Sequence, residues 1–176
     1  MKKIVVVGAT GRLGRVVVGG LSDYEVVRAG RSGPDLKIDA LDFESVSDVF
    51  ASVGTFDGLI SCIGGTPFKT FEELTMEDFA LGLSKKCFSQ LNLAKAAIPY
   101  LTENGSITLT SGIIGDEPIL AGSCAAAANG ALNMCVSTLA AEYAGKLRIN
   151  IISLSIPYFT LADFSSACSI AEKTSS

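Results

Sequence analysis

The sequence predicts an α/β fold, a doubly wound parallel sheet of about six strands with helices on both faces. Three observations carry this. The chain opens on a β-branched run, Ile4 to Val7, that passes through spaced glycines into a helix. Strand-like and helix-like segments then alternate to Ser153. Finally, 176 residues with 48% hydrophobic and 18% charged side chains suit one domain with a substantial core.

Ile4 to Val7 is too short to span a membrane and reads as a strand covered on both faces. Gly8, Gly11 and Gly14 come next at every third position and open the first helix. Glu25 to Ala29 is the second strand, Leu36 to Ile38 the third, and Phe43 to Val53 a helix. The fourth strand is placed at Leu59 to Ile63. Thr75-Met76-Glu77-Asp78 has the form of a capping box with Asp in its last place, and starts one long helix to about Ile98. Ser106 to Thr110 is the fifth strand, Ser123 to Ala144 an alanine-rich helix and Arg148 to Ser153 the sixth strand. Strict alternation implies right-handed crossovers within one sheet. Residues 1–176 form a single domain, with 154–176 as a tail in which Phe164 to Lys173 is read as a short helix.

Composition removes several functions. The net charge of −4 and the lack of a basic stripe argue against nucleic acid as a partner. No run of 18 apolar residues and no leader segment is present, so neither a membrane nor secretion is expected. Cys62, Cys87, Cys124, Cys135 and Cys168 are odd in number and form no CxxC pair, which points to reduced thiols in the cytoplasm. There is no histidine, which removes Ser-His-Asp hydrolysis and the commonest metal ligand, and no metal site is expected. Proton transfer is left to Tyr, Lys, Cys, Asp, Glu, water or the substrate.

Ligands of such sheets bind at the carboxyl ends of the strands. After the first strand, Gly8, Thr10, Gly11, Arg12, Leu13 and Gly14 supply a tight turn and helix-opening N–H groups, the pattern that holds a dinucleotide diphosphate. After the second come Arg31 and Ser32, where an NAD site would carry an acid; they suit a 2′-phosphate and hence NADP(H) over NAD(H), the alternative being a solvated loop. Asp39, after the third, either meets an adenine edge or serves the turn. Cys62 and Gly64, after the fourth, place small groups and bare backbone beside the coenzyme. Ser111, after the fifth, either holds a substrate oxygen or caps the strand end.

With these pieces in this order, the chain resembles the short-chain dehydrogenase/reductase family over residues 1–153. The resemblance rests on VGATGRLG (Val7 to Gly14), SCIG (Ser61 to Gly64), GSITLTS (Gly105 to Ser111) and LAAEYAGKLRIN (Leu139 to Asn150). It implies a Rossmann-like sheet in the order 3-2-1-4-5-6 and makes Ser111 the active-site serine. It also expects a tyrosine and, four residues on, a lysine. Counting back from Gly130-Ala131-Leu132, those places hold Ala125 and Asn129. Alanine cannot transfer a proton, and Asn129 can meet the nicotinamide ribose but brings no charge. The family's Pro-Gly after the sixth strand is replaced by Leu154-Ser155, and residues 156–176 are fewer than the family's usual ending requires.

In the long helix, Phe79, Leu83, Lys86, Gln90, Leu93 and Ala97 share one face, and Lys86 interrupts its apolar run where the family has an asparagine. Lys86 is therefore the candidate to replace the missing positive charge, the alternative being that its head snorkels to solvent. The expected function is an atypical NADP(H)-dependent oxidoreductase acting on a small carbonyl or alcohol compound, with Ser111 and Lys86 catalytic. The alternative is a non-catalytic NADP(H)-binding sensor, and a third reading makes Cys62 or Cys124 a nucleophile. In relatives the two long helices form the dimer surface. With Ala125 to Ala128, Gly130 and Ala131 allowing close approach, a homodimer or homotetramer is expected.

Overall fold

The computed structural model describes residues 1–155; the expected short helix at 164–173 lies outside the described residues. Six parallel strands pair in the order β3-β2-β1-β4-β5-β6, as the sequence predicted. They are β1 (Lys3–Val7), β2 (Glu25–Gly30), β3 (Leu36–Lys37), β4 (Phe56–Ser61), β5 (Leu101–Gly112) and β6 (Arg148–Leu154). The order reverses between β1 and β4, which lie side by side with Val7 opposite Ser61. That reversal opens a crevice at the carboxyl edge.

The helices are α1 (Arg12–Gly19), α2 (Phe43–Val53), α3 (Met76–Gly82), α4 (Ser89–Ala97) and α5 (Ser123–Glu142). Strands β1, β4 and β5 put Val5, Val7, Leu59, Ile107 and Leu109 against Phe50 of α2, Leu93 of α4 and Leu132 of α5. On the opposite face Ile4 and Val6 meet Val17 and Val18 of α1. Among the described residues, α5 is the helix long and apolar enough to cross a membrane. Its apolar positions Ala128, Leu132 and Val136 are spent on the domain core.

Three boundaries differ from the sequence reading. β4 begins at Phe56, whose ring packs 5.5 Å from that of Phe50, and ends at Ser61, so Cys62 and Ile63 belong to the following loop. β5 begins at Leu101, with Asn104 in the left-handed region at φ 62° and a register shift opposite Phe56 and Gly58. The expected single helix from Thr75 to Ile98 is broken. Its capping box forms as predicted, between Thr75 and Asp78, but Leu83–Phe88 is a π-helical turn linking α3 to α4. Such turns place one extra residue in the helix and swing the flanking side chains off the usual periodicity. Lys86 sits within it.

Candidate functional site

The glycine turn is dictated by space. Gly8 has φ +83°, and a Cβ there would lie 2.7 Å from the Cys62 carbonyl oxygen. A Cβ on Gly14 would strike the Gly8 carbonyl oxygen and come within 2.7 Å of Ala9 Cα. Glycine at both places lets α1 start directly against β1 and the β4 loop. Gly11 caps α1 without any side-chain hydrogen bond, and the first turn has no acidic residue. The helix-opening N–H groups of Arg12, Leu13 and Gly14 are thus left for an anion, with Thr10, Gly11 and Arg12 exposed around them. Arg15 steadies the turn by donating from Nε to the Thr10 carbonyl at 2.9 Å. These residues fit a diphosphate.

Arg31 and Ser32 follow β2 and are exposed. Their loop is tied down on both sides. Gly33 N–H donates to the Gly30 carbonyl at 3.0 Å, and Arg28 grips Asp35 with a fork of 3.0 and 2.7 Å. The Arg28 guanidinium holds the Asp35 carboxyl below the usual carboxylate range. Asp39 is exposed, and its Oδ1 accepts the Leu41 N–H at 3.0 Å. The structure therefore shows Asp39 serving its turn, the alternative left open by the sequence.

Cys62 N–H donates to the Val7 carbonyl at 2.7 Å, which carries the β4 loop past the glycine turn. Two residues on, Gly64 adopts φ +122°. A Cβ at Gly64 would lie 2.5 Å from Lys86 Cδ and 3.3 Å from Lys86 Nζ. The amine of Lys86 therefore lies against the bare Gly64 backbone. Among the described residues Lys86 forms no ion pair. Burial pushes its pKa down from 10.5 to about 8.

Gln90, fully buried one turn after Lys86, locks the helix to β5. Its Oε1 accepts the Thr110 N–H at 2.9 Å, while Nε2 donates to the carbonyls of Thr110 at 2.8 Å and Lys86 at 3.0 Å. Two carbonyls converging on one amide nitrogen tie the Lys86 backbone to the Thr110 backbone near the end of β5. The sequence hinted at this only by placing a polar Gln90 on an apolar face.

Ser111 is 2% exposed, and its Oγ donates to Asn129 Oδ1 at 3.2 Å. Asn129 Nδ2 donates to the Ala125 carbonyl at 2.8 Å. Ser61, also fully buried at the carboxyl end of β4, has a hydroxyl with no partner among the described residues. The structure thus gathers Ser61, Cys62, Gly64, Lys86, Ser111 and Asn129 along one edge, with the glycine turn beside Cys62. Tyr24, Tyr100 and Tyr143 all lie elsewhere, close to the amino ends of β2, β5 and β6. Burial pushes the Cys62 thiol up to about 11 and raises that of Cys124, so neither supplies a thiolate at neutral pH. A cavity of about 350 Å³ opens at the opposite edge, lined by Lys2, Tyr24, Asp57, Glu103 and Arg148. It sits at the amino ends of the strands, away from Lys86, Ser111 and the glycine turn.

A family model described as enoyl-(acyl carrier protein) reductase matches residues 25–170. The chain belongs to the short-chain dehydrogenase/reductase family. Protein lin1944 from Listeria innocua has the same architecture, with a TM-score of 0.88 and 33% identity over 99% of this chain and 92% of that one. A small-chain dehydrogenase in complex with NADPH superposes with a TM-score of 0.82 at 26% identity, covering 99% of this chain and 81% of that one. A tropinone reductase homologue of Arabidopsis thaliana is 32% identical over 123 residues, 68% of this chain and 46% of its own length. The chain spans less than half the length of the curated relatives it matches. Its sheet is that of the short-chain dehydrogenase/reductases, an oxidoreductase fold.

Proposed function

We propose that this chain is an NADP(H)-dependent oxidoreductase for a small carbonyl or alcohol compound, whose chemistry rests on Lys86 and Ser111 in place of the family's tyrosine and lysine. The observation that carries the reading is the Lys86 amine, desolvated, lying on Gly64 and without a counter-ion among the described residues. A partly buried ammonium without an ion-pair partner is costly, and such groups cluster where an anionic or polarised ligand completes them. With its pKa near neutrality, Lys86 is suited to give a proton to a substrate oxygen or take one from it. The glycine turn and Arg12 hold the diphosphate, Arg31 and Ser32 the 2′-phosphate, and Cys62, Gly64 and Asn129 border the nicotinamide ribose. When bound, the nicotinamide supplies or accepts the hydride. The placement of Lys86 favours turnover over a purely sensory role.

Fluorescence titration with NADPH and NADH, followed by coenzyme consumption against a panel of small aldehydes and ketones, tests the reading. Replacing Arg31 with alanine should weaken NADPH about tenfold, because one charge-assisted contact is lost, and leave NADH unchanged. Equal affinity of wild type for both coenzymes would defeat the NADP(H) assignment.

We also infer a homo-oligomer built on α4 and α5. The reason differs from the one the sequence suggested, since Ala125 and Ala128 are buried inside the domain. The outer face instead carries a shallow apolar hollow of about 310 Å³ lined by Leu91, Met134, Cys135, Thr138 and Leu139, with Phe88 and Met134 exposed. Light scattering at micromolar concentration should give a dimer or tetramer, and a monomer alone would refute this.

A further inference from the structure

The hydrogen-bond directions around Ser111 specify more than a polar pocket, because each is fixed by the one before it. The Ala125 carbonyl can only accept, so the atom of Asn129 that lies 2.8 Å from it must be the amide nitrogen. A flipped amide would press oxygen against oxygen. The atom turned toward Ser111 is consequently Oδ1, which has no proton to give, and at 3.2 Å the Ser111 hydroxyl must be the donor. Both groups are buried, Ser111 at 2% and Asn129 at 4% exposed, so water does not compete freely for that proton. Ser111 is thereby left with lone pairs alone for any further partner. The Lys86 amine, which lies against Gly64, offers N–H donors of its own.

We propose that Asn129 is a positioning residue that turns the Ser111 hydroxyl into an acceptor, so that the site selects a hydroxyl-bearing ligand over the matching carbonyl compound. An alcohol hydroxyl can donate to Ser111 Oγ. A carbonyl oxygen can only accept, and at Ser111 it meets lone pairs unless the Ser111–Asn129 bond is broken. The ligand class that this geometry favours is the alcohol side of the proposed reaction. The inference rests on the proposed coenzyme site and adds the polarity of the pocket next to it.

The test uses binding, without turnover. The protein is saturated with tetrahydro-NADPH, an analogue unable to transfer hydride, and titrated by calorimetry with cyclohexanol and with cyclohexanone. Cyclohexanol should bind about fivefold more tightly, the worth of one net hydrogen bond. Asn129→Leu frees the Ser111 proton and should bring the two probes to equal affinity. Ser111→Ala removes the acceptor and should do the same, which covers the case in which Asn129→Leu does not fold. Cyclohexanone binding as tightly as cyclohexanol in the wild type, no binding of either probe, or a preference that survives both substitutions would each overturn the proposal. Failure of the coenzyme analogue itself to bind would bring down the proposed function as well, which separates the two.

Discussion

Lys86→Met should lose coenzyme-dependent turnover by about 10²- to 10⁴-fold, the usual worth of a positioned acid or base, while becoming more stable than the wild type. The two effects share a cause. The ammonium lies in a half-buried place against Gly64, with no carboxylate among the described residues to compensate it. Burial lowers its folded-state pKa from 10.5 to about 8. Between those values the unfolded chain binds the extra proton, so wild-type stability should rise as pH climbs from about 8 toward 10.5. At pH 7 the whole penalty is carried, and after allowance for partial exposure it is about 2 kcal/mol. Methionine has a similar volume and no charge. Thermal unfolding at pH 7 should therefore show the variant about 4–8 °C above wild type for a domain of this size, with a smaller gap at pH 10. Unchanged melting together with retained turnover would show that Lys86 is an ordinary surface lysine.

The second large effect is expected at Gly14. Alanine there puts a methyl group onto the Gly8 carbonyl oxygen and 2.7 Å from Ala9 Cα. Every atom it meets is backbone, so nothing can swing aside, and α1 must move away from the turn. The expected cost is about 1–3 kcal/mol of stability. Coenzyme affinity should drop at least tenfold, because the helix-opening N–H groups move with α1. Gly19→Ala is the control on the same helix. A Cβ at Gly19 meets no atom within 4 Å, and alanine restricts the unfolded chain, so this variant should gain about 0.5–1 kcal/mol and bind coenzyme normally. Urea unfolding and an NADPH titration of both variants check the pair. Equal behaviour of Gly14→Ala and Gly19→Ala would refute the steric account of the turn.

The order of elements was legible because each strand has a distinct apolar run and each helix its own period. Val5, Val7, Leu59, Ile107 and Leu109 alternate inward along their strands, while the strand order came from the resemblance to the short-chain dehydrogenase/reductases. Boundaries depend on neighbours. Phe56 joins β4 because it pairs with Leu101 and packs on Phe50, contacts that exist only once α2 and β5 are in place. The π-helical turn at Leu83–Phe88 was hidden because its residues continue the three- and four-step pattern of an ordinary helix. For the site, the sequence singled out Ser111 and Gly64 by their places after strands, Lys86 by its place on a helix face and Asn129 by its place in the family motif. It did not show the bond between Ser111 and Asn129, which requires α5 to be docked against β5. Nor did it show Gln90, which bonds Lys86 one turn away, reaching Thr110 across 20 residues of chain. Asp39 was left between two roles because an Asx turn and an adenine contact call for the same residue.

The account depends most on the N–H groups at the start of α1 holding a coenzyme diphosphate, and calorimetric titration of the wild-type chain with NADPH measures this directly. Saturable heat is predicted, with the melting temperature raised by about 5–10 °C when NADPH is at 100 times its Kd. A titration without heat, paired with an unmoved melting temperature, would contradict it.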